Sequence, residues 1–225
     1  MNTVLLTSAG IAPEIKKDFL SLLPKKPSEV KAVFVVTGAY GEPPETYGGK
    51  EPWWLIRDKQ TLSDCGITHI VDLDLRGKNK VQLEKILADK DLIFVSGGNT
   101  FFLLKYARES GFDKLIPFYI KRGAIYVGAS AGSYLACPSI EMALWKEPKR
   151  DKFGLTDTKG INLAPFLIMA HFVEKYRKII DRAAKTTKYP IVALTDNQAV
   201  LVKGKKIKLL GPQNKNSWNG FKEVA

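Results

Sequence analysis

Short, unbroken apolar runs that each stop at small residues constrain this chain most. Thr3 to Thr7 ends at Ser8-Ala9-Gly10, and Val30 to Val36 is followed by Gly38. Asp91 to Val95 runs into Ser96-Gly97-Gly98-Asn99-Thr100, and Ala124 to Val127 runs into Gly128-Ala129-Ser130-Ala131-Gly132. Apolar runs without polar alternation fit strands covered on both faces, as in parallel sheets. Helical segments separate them. Glu14 to Leu23 carries Ile15, Phe19 and Leu22-Leu23 at helical spacing, and Trp53 to Cys65 is stopped by Gly66. Asn79 to Asp89, Phe101 to about Ser110, and Phe112 to Arg122 read as further helices, and Thr68 to Leu73 as another strand. This alternation predicts a three-layer α/β fold with a mostly parallel sheet.

The C-terminal third reads differently. Ile161 to Ala170 is a strand candidate ending at His171, and Lys175 to Thr187 is helical. Ile191 to Thr195, Ala199 to Val202 and Lys206 to Leu210 are short strands, expected as an antiparallel extension of the parallel sheet. With no internal repeat or linker, one domain over residues 1–225 is expected.

Lysine and arginine number 35 against 23 acidic residues, a net charge of +12. The basic residues lie in short clusters such as Lys16-Lys17, Lys121-Arg122 and Lys203 to Lys208, which reads as a solvated surface. No specific nucleic-acid partner is expected. The two cysteines, Cys65 and Cys137, make no disulfide framework, and the two histidines argue against a histidine metal site. The reading expects no cofactor, no secretory leader, no membrane span and a cytoplasmic location.

The G-x-S-x-G pattern at Gly128 to Gly132 carries the chemistry. Placed between a strand and a helix, such a turn holds its serine Oγ out above the sheet. Ser130 is the candidate nucleophile. A serine hydroxyl needs a base, and a third group to orient that base. His69 begins a strand among apolar neighbours, whereas His171 follows Phe166-Leu167-Ile168-Met169-Ala170 and should emerge at a strand's C-terminal end. Open α/β sheets gather their sites at that edge, so His171 is the candidate base. For the acid, the chain order serine, carboxylate, histidine offers Glu141, Glu147, Asp151 and Asp157. Glu147 is the first choice and Glu141 the second. The N–H groups of Ala131 and of the Gly98 turn are the candidate oxyanion donors. Asn99, on that turn, and Arg177 are candidate substrate-binding side chains, with a helix cap the competing role for Asn99.

Ser96-Gly97-Gly98-Asn99-Thr100-Phe101-Phe102-Leu103-Leu104, then Gly128 to Ser133, then His171-Phe172, resemble the peptidase E (aspartyl dipeptidase) and cyanophycinase family of serine peptidases. The similarity runs from the first strand to Leu209-Leu210-Gly211-Pro212. It implies a flavodoxin-like fold of the class I glutamine amidotransferase type, a Ser-His-acid triad and no metal. It places the nucleophile at Ser130, the base at His171 and an oxyanion donor at Gly98. The aspartyl dipeptidase acid position falls at Trp145, and nearby Glu147 resembles the glutamate of the cyanophycinase pattern. The Gly- and Arg-containing loop that follows the base in aspartyl dipeptidases is replaced by Val173 to Arg177. The implied activity is hydrolysis of short peptides, with a non-catalytic binding protein of the same fold as the alternative. A glutamine amidotransferase-like activity would call for cysteine at the elbow.

Overall fold

The structure is a computed structural model that describes residues 2–146, 153–212 and 215–225. The first half alternates as the apolar runs require: β1 (Thr3–Thr7), α1 (Pro13–Leu22), β2 (Lys31–Val35), α2 (Trp53–Asp64), β3 (His69–Leu73) and α3 (Lys80–Leu87). It continues through β4 (Leu92–Val95), α4 (Thr100–Ser110), α5 (Phe112–Lys121), β5 (Ile125–Ala129), α6 (Ala131–Ala136) and α7 (Ala143–Lys146). The last part holds β6 (Leu167–Met169), α8 (Arg177–Ala183), β7 (Ile191–Ala193), β8 (Ala199–Lys203), β9 (Lys206–Leu210) and β10 (Asn216–Trp218). No helix among the described residues is long and apolar enough to cross a membrane.

The main sheet has the order β3-β2-β4-β5-β1-β8-β9. Its first five strands are parallel, and β8 and β9 join antiparallel at the β1 side. Alternate residues of the central strands feed two cores. Leu5, Phe34, Phe94 and Val127 pack with Ile15 and Phe19 of α1 and Leu55 and Leu62 of α2. Leu6, Val33, Val95 and Tyr126 pack with side chains of α4, α5 and α6 on the opposite face. Each fully buried side chain of this size contributes about 1.5–3 kcal/mol, so helices on both faces are required and the three-layer expectation holds.

One expected strand belongs elsewhere. Ile191–Ala193 does not extend the main sheet but forms a second sheet, order β10-β7-β6, in which it runs parallel to Leu167–Met169. The helix expected over Lys175 to Thr187 begins as a 3-10 turn at Glu174–Tyr176 and becomes α-helical only over Arg177–Ala183.

These registers bring the site together. Val95 of β4 lies opposite Gly128 of β5, and Thr7 of β1 lies opposite Ala129. The segments after β1, β4 and β5 therefore leave the sheet side by side at its C-terminal edge, where crevices form in such folds.

Candidate active site

Ser130 follows β5 and opens α6 with φ +50° and ψ −105°. A non-glycine residue with positive φ is strained, and such strain persists only where the surroundings over-determine it. The surroundings here are dense. The Ser130 N–H donates to the Thr7 carbonyl at 3.1 Å. The Ser133 hydroxyl lies 2.8 Å from both the Thr7 and Gly128 carbonyls, and the Tyr126 hydroxyl donates to the Gly132 carbonyl at 2.7 Å. Gly132 lets the helix start sit against β4, since a Cβ there would lie 2.0 Å from the Val95 carbonyl oxygen. The flanking glycines thus serve close packing, and neither Gly128 nor Gly132 has a positive φ.

His171 emerges one residue beyond Ala170 at the end of β6, also with positive φ, 56°. Its Nε2 lies 3.0 Å from Ser130 Oγ, and its Nδ1 lies 2.7 Å from Asp196 Oδ1. A carboxylate only accepts, so Nδ1 carries the proton, and in the neutral ring Nε2 accepts from the serine hydroxyl. Asp196 follows β7, the parallel neighbour of β6. The ladder continues past both strands through Leu194 N–H to the Met169 carbonyl and Phe172 N–H to the Leu194 carbonyl, each 2.9 Å. Parallel neighbours end at the same edge, which carries His171 and Asp196 to one place. The hydrogen bond from His171 holds the Asp196 carboxyl below its ordinary range, against the opposing pull of burial.

Ser8, just after β1, ties this pair to the main sheet. Its hydroxyl donates to Asp196 Oδ1 at 2.9 Å and accepts the His171 N–H at 2.7 Å. The Tyr134 hydroxyl of α6 accepts the neighbouring Ala170 N–H at 3.1 Å.

The structure therefore brings Ser130 and His171 together and sets Asp196 at the third position. Glu147 lies outside the described residues. The Glu141 carboxylate accepts from the Ser139 hydroxyl at 3.3 Å, and His171 Nδ1 is bonded to Asp196. Asn99 is buried, 1% exposed, and serves as the cap of α4: its Oδ1 accepts from Phe101 and Phe102, and its Nδ2 donates to Glu42 at 2.9 Å. Arg177 is engaged by Glu174 and by Asn216 Oδ1 at 2.7 Å, and its guanidinium lies over the Phe172 and Trp218 rings. Neither side chain lines the clefts at Ser130. Gly98 borders both of those clefts. It has φ +119°, and a Cβ on it would meet the Gly38 carbonyl oxygen at 2.1 Å. Ala131 supplies the first N–H of α6, one of the donors a helix leaves unpaired at its start.

Sequence reasoning missed Ser8, Asp196 and the α2 wall. A cleft of about 290 Å³ lies between α2 and the serine turn, bordered by Trp53, Trp54, Arg57 and Asp58 opposite Ser130 and His171. Asp58 is 2% exposed. Its Oδ1 accepts from Arg57 Nε at 3.1 Å and Nη2 at 2.7 Å, and Arg57 Nη2 also donates to the Ala9 carbonyl. Burial pushes the Asp58 carboxyl from 3.8 up to about 6, while the Arg57 guanidinium pulls the other way.

A strained serine on a strand-to-helix turn, bonded to a histidine that is bonded to a carboxylate, is the arrangement of a serine hydrolase. The sequence profile of peptidase family S51 matches residues 4–210. An uncharacterised peptidase of Pasteurella multocida is 35% identical over 138 residues, 59% of this chain and 66% of the relative. One from Listeria monocytogenes is 32% identical over 155 residues, 66% of this chain and 74% of the relative. Peptidase E of Citrobacter koseri is 30% identical over 155 residues, 62% and 63% of the two chains. The alignments thus span about two thirds of these relatives. A solved structure from Listeria monocytogenes described as a peptidase E superposes with a TM-score of 0.78 at 23% identity, covering 95% of this chain and all of that one, which shows the shared fold. The chain belongs to peptidase family S51, the peptidase E family of serine-type peptidases.

Proposed function

We propose that this protein hydrolyses short peptides, dipeptides among them, through a Ser130-His171-Asp196 triad and an acyl-enzyme. The observation that carries the reading is the unbroken hydrogen-bond chain from Ser130 Oγ to His171 and on to Asp196, at 3.0 and 2.7 Å. Ser130 Oγ attacks the scissile carbonyl carbon and its proton passes to His171 Nε2. The carbonyl oxygen becomes an oxyanion, which the N–H groups of Ala131 and Gly98 receive. The imidazolium is stabilised by Asp196 and gives its proton to the leaving amine, breaking the C–N bond. Water then attacks the acyl carbon with His171 again as base, the bond between that carbon and Ser130 Oγ breaks to release the acid, and Oγ recovers a proton from His171. The chemistry takes place on the protein's own groups, in the cytoplasm, and the basic surface meets nucleic acid only weakly and without sequence preference.

A fluorophosphonate probe followed by a dipeptide library tests this. Stoichiometric labelling of Ser130, lost in Ser130→Ala together with hydrolysis, is the expected result. Folded protein that takes up no probe and cleaves no dipeptide would leave a binding protein of the same fold.

A further inference from the structure

Across the cleft from the serine turn, the α2 wall carries a buried donor that none of the described residues satisfies. The Trp54 indole Nε1 is buried and makes no hydrogen bond to any of the described residues. An indole N–H can only donate, and leaving it unmet costs about 1–3 kcal/mol. Its position is fixed relative to the nucleophile. An atom at the Cβ position of Gly97 would lie 3.6 Å from both Trp54 Nε1 and Ser130 Cβ. The donor therefore lies no more than two such contact distances from Ser130 Cβ, within reach of a side chain beside a scissile bond.

Asp58 lines the same cleft and supplies the opposite polarity. Both hydrogen bonds from Arg57 fall on its Oδ1, and a carboxylate has acceptor capacity beyond that. One donor and one acceptor on a mostly aromatic wall match a primary carboxamide, whose oxygen accepts and whose NH₂ donates. A substrate carboxylate fits badly. Asp58 and Asp196 both border the cleft, and Arg57, the cation there, is already engaged by Asp58 and the Ala9 carbonyl.

Building on the triad reading, we infer that the cleft between α2 and the serine turn is a specificity pocket for an asparagine or glutamine side chain flanking the scissile bond, with Trp54 Nε1 and Asp58 reading its amide. The amide is recognised and left intact. Sites built to hydrogen-bond a polar group reject analogues that lack it far more strongly than apolar pockets discriminate by size.

The test uses Gln-Ala, Glu-Ala and Met-Ala, their asparagine, aspartate and leucine counterparts, and the reversed sequences. For one of the two positions, kcat/KM for the amide exceeds that for the acid and the apolar analogue by about a hundredfold or more. Trp54→Phe removes the N–H and keeps an aromatic ring, and it lowers the glutamine-to-methionine ratio by about tenfold or more. Asp58→Asn narrows the glutamine-to-glutamate ratio, which keeps the test open should Trp54→Phe fold poorly. Preference for an acidic residue, or a Trp54→Phe variant that slows all substrates alike, overturns the pocket. So does ammonia as the product in place of the free amino acids.

Fluorophosphonate labelling of Ser130 reports on the triad separately. Should it fail, calorimetric binding of Gln-Ala against Glu-Ala to Ser130→Ala protein still decides. Selective binding that disappears on adding Trp54→Phe supports the pocket, and equal or absent binding overturns it.

Discussion

The Ser8 hydroxyl donates to Asp196 Oδ1 at 2.9 Å while accepting the backbone N–H of His171 at 2.7 Å. One small side chain at the end of β1 thus fixes both the carboxylate and the backbone of the histidine it orients. The same carboxylate oxygen receives His171 Nδ1, so the three groups meet at one atom.

Ser8→Ala removes both contacts without touching the reacting atoms. It should lower kcat by about tenfold, with a smaller change in KM, since a hydrogen bond to a charged group is worth about 1.5–3 kcal/mol and this one, part-buried, falls at the low end. Asp196 also loses one of the donors that lower its pKa, so the acid-side loss of kcat that follows its protonation should move to higher pH. Steady-state kinetics from pH 3 to 9 check this. A loss seen equally in Ser8→Cys and Ser8→Ala with an unmoved profile would mark Ser8 as a packing residue only.

Asp196→Asn should reduce kcat by about two to four orders of magnitude, since an amide cannot stabilise the imidazolium and permits the wrong tautomer. Glu141→Gln should stay within about threefold of wild type, because its carboxylate bonds Ser139. Glu147→Gln, measured beside them, decides between the two carboxylates: a silent Asp196→Asn with a crippled Glu147→Gln reverses the assignment.

Asp58 makes stability depend on pH in a definite direction. Its folded pKa of about 6 lies above the ordinary 3.8, so the folded state holds the proton more tightly than the unfolded chain. Its contribution is most favourable below about pH 3.8. It weakens as pH rises through that interval and reaches its least favourable value above about pH 6. A shift of this size corresponds to about 3 kcal/mol. Denaturant titrations of wild type and Asp58→Asn should show the variant gaining on wild type between pH 4 and 7, with a flat difference above 7. A constant difference throughout would mean that Asp58 does not titrate there.

Gly132→Ala should be among the most damaging single-methyl additions. Its Cβ would meet the Val95 carbonyl oxygen at 2.0 Å, and this is backbone of a central strand, which has no easy retreat. A loss of about 3 kcal/mol or more is expected. Gly97→Ala, whose Cβ would sit at ordinary contact distance, should fold normally and lose activity by filling the cleft. Thermal melts of the two side by side separate backbone clash from pocket occlusion.

Much of this was legible in the residues. The apolar runs with their small-residue stops located the parallel strands, and G-x-S-x-G located the elbow. The end of a buried run gave His171. Asp196 was missed because the chain order serine-acid-histidine confined the search to residues before His171. Asp196 nonetheless follows the short run Ile191 to Thr195, at the same kind of strand end that pointed to the histidine. The assignment of Ile191–Ala193 to the main sheet failed for a related reason. Three apolar residues state that a strand is buried but not which sheet buries it, and its pairing with Leu167–Met169 is a long-range fact. Ser8 and Asn99 illustrate the local limit. Both sit in small-residue turns, and only the chains packed above them make one a clamp on the histidine and the other a helix cap.

Ser130 follows a strand of the large sheet, whereas His171 and Asp196 stand at the ends of two strands in the small one. For the proposed triad, alignment is therefore a property of the seam between the sheets rather than of either. Proton transfer becomes a ruler for how the small sheet is seated, read out at the 3.0 Å gap between Ser130 and His171. Partial denaturation that loosens β6 and β7 should extinguish turnover while the parallel strands beneath the serine keep their hydrogen bonds. Activity should then be lost before the large sheet unfolds.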